Sequence, residues 1–301
     1  RARELQRLQE ARDLLARRRA EQNRQAIDRL GEAAEELVRD QQQVAETVRR
    51  FPGPESDKRA EAFGRAMEQK SKVFEGLNVR KKFVGSFCFT FVGAGAICTT
   101  ALTHGEPGLV GIALAHGLMM AINIAALGQY SGGHFNPVVT IALWSTGRCG
   151  TAQAVRYVAA QLLGSAAAAF ALRALLPAEV LGAGSALGAT LPGAAMTAGQ
   201  AVWIEGILTF ILVLVVFTVT VSSGGARNLA PFAIGLTIGV DILVGGPLTG
   251  ASMNPARSFG PQLVGQNWQD AWIYYVGPLL GGVAAGWVCD RLLLSGGAKH
   301  R

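Results

Sequence analysis

Charge is nearly absent from most of this sequence. Of its 49 Lys, Arg, Asp and Glu residues, 35 lie in the first 82 positions, and 14 are left for the 219 residues that follow. Overall 16% of the chain is charged, against roughly 25% in an ordinary soluble domain. That scarcity excludes a water-soluble globular fold for residues 83–301. Cysteine is sparse as well. Cys88, Cys98, Cys149 and Cys289 have no disulfide or metal spacing, and a ten-residue step inside one apolar run excludes a zinc pair. Residues 83–301 carry no metal cluster, nucleophile–base pair or carboxylate dyad, so no cofactor, metal or enzymatic chemistry is expected. The N-terminus lacks an apolar h-region, and no secretory leader is expected there. The net charge of +7 does not point to nucleic acid, because acids and bases in the N-terminal part are interspersed. The stretch GAGSALG (182–188) has no preceding strand or following Lys, which excludes a phosphate cradle.

What is present falls into three parts. Residues 1–51 read as one charged amphipathic helix: Leu8 and Leu15 are seven apart, as are Leu30, Leu37, Val44 and Phe51. Phe51-Pro52-Gly53-Pro54 breaks it. Residues 52–82 form a linker and a juxtamembrane helix, with Phe63, Met67 and Phe74 as apolar points over 57–77. Arg80, Lys81 and Lys82 then mark the cytoplasmic boundary of an apolar run. From Phe83 six apolar segments of about 20 residues each have spanning length. They are 83–103, 109–128, 152–176, 200–222, 231–245 and 270–294. Arg148 and Arg227 fall in loops on the side of Arg80, whereas loop 177–199 holds Glu179 and no base. This places both termini in the cytoplasm.

Two further apolar segments are too short to span: 136–146 and 254–264. Each opens with Asn-Pro, and each follows the second span of its half. Asn is a strong helix N-cap, and Pro is favoured at the first helical position. The expected fold is therefore an all-α membrane protein in which residues 83–301 duplicate three spans and one short helix, at 83–176 and 200–294. Three spans per repeat invert the second relative to the first, which makes the short helices re-entrant from opposite faces. Their positive ends would meet halfway through the bilayer, with the amides of Asn136 and Asn254 at the midpoint of a polar path. Two donors backed by two positive helix ends repel cations and orient a passing water.

SGGHFNPVVT (131–140) and GASMNPARSFGP (250–261) resemble the two signature boxes of the aquaporin family, the major intrinsic proteins. The likeness covers residues 83–294 and includes Gln161 and Glu205. The runs ALAHGLMM (113–120) and VDILVGGPLTGASMNPAR (240–257) are most similar to the branch of aquaporin eight and the tonoplast intrinsic proteins. The resemblance implies a passive channel for water, ammonia, hydrogen peroxide and other small neutral solutes, assembled as a homotetramer in the lipid bilayer. It also implies a constriction of four residues: His116, Ile242, Ala251 and Arg257. With the imidazole on the second span and Ile on the fifth, that opening is wider and more apolar on one wall than a strict water filter. Glycerol facilitators carry Asp directly after the Arg, where Ser258 stands here, so glycerol is not expected to pass.

Pro137, Val138, Pro255 and Ala256 complete the boxes, and His134, Glu205 and Asp241 are expected in support. His134 should pack within its own loop rather than touch solute. Asp241 either bonds the 246–250 loop or joins the pore wall. The chain departs from the family pattern at Val138, where Ala is usual, at Lys82, where most members carry Glu, and in residues 1–79, which have no counterpart. Val138 either narrows the midpoint or repacks it. Glycine pairs Gly235/Gly239 and Gly282/Gly286 should let helices approach closely. The alternative reading is a scaffold whose residues 1–51 recruit a protein partner, with little conduction.

Overall fold

The computed structural model describes residues 54–128, 133–182, 186–221 and 227–294, with the backbone alone for 54–75. The chain divides into two units, residues 1–72 and 73–301. The amphipathic reading of residues 1–51 lies outside the described residues. Among those described, all regular elements are helical. They are α1 (Pro54–Leu102), α2 (Gly108–Leu127), α3 (Pro137–Ser145), α4 (Thr151–Leu175), the short α5 (Ala178–Gly182), α6 (Ala198–Val216), α7 (Ala230–Thr249), α8 (Pro255–Gly265) and α9 (Ile273–Val288). Wider turns of π type extend α6 to Val221 and α9 to Leu294.

Among the described residues, six helical stretches are long and apolar enough to cross a membrane: Gly76–Thr100, Gly108–Leu127, Thr151–Leu175, Ala198–Val221, Arg227–Thr249 and Ile273–Leu293. Two of them correct the sequence reading. The helical stretch expected at 57–77 and the first span belong to one helix, because Asn78-Val79-Arg80-Lys81-Lys82 contains nothing to break it. The fifth span runs past residue 245 to Thr249. Pro247 lies in its last turn, and Gly250 ends it at φ +81°.

Burial follows a membrane logic. On α2, Val110, Leu114, Leu118 and Ile122 recur every fourth residue and are each more than half exposed, whereas His116, Gly117 and Asn123 are buried. Apolar residues face outward and polar ones inward, as lipid demands. Close helix crossings occur at glycines. A Cβ on Gly117 would strike the carbonyl of Gly235, and one on Gly281 would strike that of Gly206, joining α2 to α7 and α9 to α6. The order long, long, short, long therefore occurs twice, as α1–α4 and α6–α9, with α3 and α8 as the two short helices.

Candidate functional site

Both short helices begin as their Asn-Pro pairs require. Asn136 and Asn254 have extended backbones, and each side-chain oxygen accepts from the first turn of its own helix. Val138 N donates to Asn136 Oδ1 at 2.9 Å, and Ala256 N donates to Asn254 Oδ1 at 3.0 Å. This capping leaves both amide groups facing away from their helices. Asn136 Nδ2 donates to the carbonyl of Met253 at 2.8 Å, and Asn254 Nδ2 donates to that of Phe135 at 3.1 Å. The two boxes are thus stitched reciprocally, with Pro137, Val138, Pro255 and Ala256 buried behind them. Each NH₂ has two hydrogens, so each retains one donor beyond the stitch.

A mostly apolar cavity reaches this junction. Its walls come from α2, α6 and α7 together with Phe135, Asn136 and Val139, and His134 and Thr220 are among its few polar residues. The centres of water-sized spheres fill about 30 Å³ of it, where roughly 10–15 Å³ suffices for one water.

The second box is braced by a buried carboxylate. Glu205 accepts from Ser252 N at 2.9 Å, Met253 N at 2.8 Å and Thr249 Oγ1 at 2.7 Å. Ala251 and Met253, on either side of Ser252, hold φ at +45° and +52°. Such backbone costs about 1–3 kcal/mol per residue, and the carboxylate is the partner that holds it. The first box is braced differently. Lys82 is fully buried, with Nζ 4.9 Å from the centre of the Tyr157 ring and 5.3 Å from that of Phe135. A second set of bonds centres on Thr140: its hydroxyl donates to the Asn136 carbonyl, and its oxygen takes Gln161 Nε2 at 3.0 Å and His134 Nδ1 at 2.8 Å. His134 is thus held by Thr140 of α3 and also lines the cavity.

Val138 packs toward the last span. It is fully buried, and its Cγ1 occupies the space a side chain on Gly282 would need. Ala142, one turn on, lies against Gly286. The Gly282/Gly286 pair therefore receives the face of α3. Gly235 meets α2 as expected, and Gly239 makes only ordinary contact with Ala113.

Of the four residues expected at the constriction, all are buried. Arg257 NH1 donates to the Gly188 carbonyl at 2.7 Å, while Nε and NH2 have no partner among the described residues. Ala251 lies against Gly245, and Ile242 sits on the same helix, α7. His116 Nδ1 lies 2.9 Å from the Ile112 carbonyl, so that nitrogen carries the proton and Nε2 is a bare acceptor. Asp241 is buried, and its Oδ2 has no partner among the described residues.

Sequence reasoning missed the loop that reaches Arg257. Thr190 Oγ1 and Ser258 Oγ lie 2.7 Å apart, and Ser258 continues to Ser252 at 2.5 Å. Nothing in the spacing of these hydroxyls marks the link, because its two ends are 68 residues apart. Tyr274, whose hydroxyl donates to the Thr249 carbonyl at 2.7 Å, went unnoticed for the same reason.

Comparison with known proteins places this geometry. Residues 73–289 match the family described as Major intrinsic protein. Aquaporin TIP4-4 of Zea mays is 41% identical over 228 residues, covering 74% of this chain and 88% of that one. Probable aquaporin TIP3-2 of Arabidopsis thaliana is 40% identical over 253 residues, 79% of this chain and 91% of that one. The fold is similar to that of the aquaglyceroporin from Plasmodium falciparum, with a TM-score of 0.64 at 22% identity, covering 73% of this chain and 98% of that one. Two capped half-helices stitched at their Asn residues, six apolar spans and these relatives together establish that the chain belongs to the major intrinsic protein family, the aquaporins, passive membrane channels for water and small solutes rather than enzymes.

Proposed function

We propose that the chain conducts water, ammonia and other small neutral solutes, hydrogen peroxide included, and opposes protons and ions. The observation that carries this is the reciprocal stitch of Asn136 and Asn254 to the loop carbonyls of Met253 and Phe135. It holds two amide donors at the positive ends of two helices, where a water can turn but a cation meets like charge. A second element supports the choice of solutes. Arg257 keeps unpartnered donors at Nε and NH2, whereas the Nε2 of His116 is turned toward Gly93 of α1. Ammonia takes such a donor through its lone pair. Ile242 and Ala251 supply apolar and small walls, and Ser258 in place of Asp argues against glycerol.

The unit is a homotetramer with both termini in the cytoplasm, the side to which Arg80, Lys81, Arg148 and Arg227 point by charge. Residues 52–82 lead into the channel of 83–301, and residues 1–51 are the segment available to a protein partner.

Permeability of purified protein in liposomes, measured side by side for water, ammonia, hydrogen peroxide and glycerol, tests the proposal. Water, ammonia and peroxide should pass and glycerol should not. His116→Phe should lower ammonia flux relative to water; equal loss of both would remove His116 from the constriction. Liposomes no more permeable than empty ones would favour the scaffold instead.

A further inference from the structure

We infer that Gly93, on α1, sets the width of the constriction by seating the His116 ring, an inference that rests on the constriction proposed above. One end of the imidazole is held by hydrogen bonding, Nδ1 to the Ile112 carbonyl one turn back on α2. Its flank meets Phe89 edge-on, with 5.5 Å between centroids and 80° between planes. The other end is held by nothing but shape. Nε2 is buried, has no hydrogen-bond partner among the described residues, and lies against Gly93. A Cβ on residue 93 would collide with Nε2, Cδ2 and Cε1 of the ring at once.

An imidazole cannot bend away from such a collision. It has two torsions, and the Ile112 bond restrains both. With Phe89 beside it and α1 behind it, a displaced ring turns away from α1, toward the axis of the bundle. One methyl group at position 93 would therefore narrow an opening that residue 93 does not itself line. Glycine here is not needed for the helix, since Ala is the better helix former. The space it leaves is what the ring uses.

Gly93→Ala, with His116→Ala and the double variant, tests this in liposomes loaded for water and for hydrogen peroxide, the bulkier solute. Gly95→Ala is the control for the same change on the same helix: its Cβ would meet only Leu172 Cδ2, at 3.4 Å. Gly93→Ala is expected to cut peroxide permeability about tenfold, equal to ~1.4 kcal/mol in barrier height, and water by less. Gly95→Ala should leave both near wild type. Gly93→Ala/His116→Ala should return to the level of His116→Ala alone, because the obstructing ring is gone. Damage to the packing of α1 would not be rescued in that way, so a double variant as slow as Gly93→Ala overturns the inference. So does a Gly93→Ala protein with wild-type permeability, or a Gly95→Ala protein equally impaired. If His116→Ala alone leaves the peroxide-to-water ratio unchanged, the constriction itself is wrongly assigned and Gly93 loses its role with it.

Discussion

Val138 of the first box rests on Gly282 of the last span: the side chain that exceeds the family's usual Ala occupies the place where Gly282 has none. The pair predicts a compensated double change. Val138→Ala leaves a small cavity and should cost about 2 kcal/mol. Gly282→Ala overpacks the same spot and should cost a comparable amount. Combined, the two should be closer to wild type than either alone. Thermal unfolding of the four proteins in detergent measures this; strict additivity would mean that the two residues are not coupled.

Glu205 makes its three bonds as an acceptor only, so Glu205→Gln is not conservative. The amide turns an N–H toward the N–H of Ser252 or Met253. Each buried donor left without a partner costs about 1–3 kcal/mol. The variant should unfold at lower temperature and conduct water more slowly. Preserved stability and flux together would show that the positive φ of Ala251 and Met253 needs no such brace.

Lys82 faces two aromatic rings, and ring faces are negative. A cation so placed and desolvated contributes about 2 kcal/mol. Lys82→Met keeps the stem and loses that contribution. Lys82→Glu sets a carboxylate against both rings and should be worse than Met. Equal stability of the Glu variant and the wild type, by thermal unfolding, would show that the rings do not recognise the charge.

The Thr190–Ser258 hydroxyl contact ties the loop bearing Gly188 to the half-helix bearing Arg257. Thr190→Val keeps the shape and removes the hydroxyl, for a loss of about 1 kcal/mol. Thr190→Ser should restore it. Valine and serine variants of equal stability would leave the tie without energetic meaning.

Arg148 and Asp290 form an ion pair of 2.6 Å, but their side chains are 28% and 38% exposed. Such pairs contribute about 0–1 kcal/mol and weaken with salt. Asp290→Asn should move the unfolding midpoint by little at low salt and by less at high salt. A large loss that persists in high salt would mark a structural latch.

The sequence by itself determined that there are six spans, though not the bounds of the first and fifth, and determined the two short helices and their starting residues. These follow from local rules: an apolar run long enough for lipid, an Asn oxygen two residues from the N–H it accepts, a Pro that needs no donor at the first helical position. An inverted repeat of short helices also implied that the two boxes approach one another. Only the tertiary structure decided which carbonyl each amide takes, that Val138 lies on Gly282, that Lys82 faces two rings, and that His116 turns its Nε2 toward Gly93. Those contacts join residues from 23 to 144 positions apart. They depend on how far one backbone can approach another and in which direction a ring then fits, and neither is written in the spacing of residues along the chain.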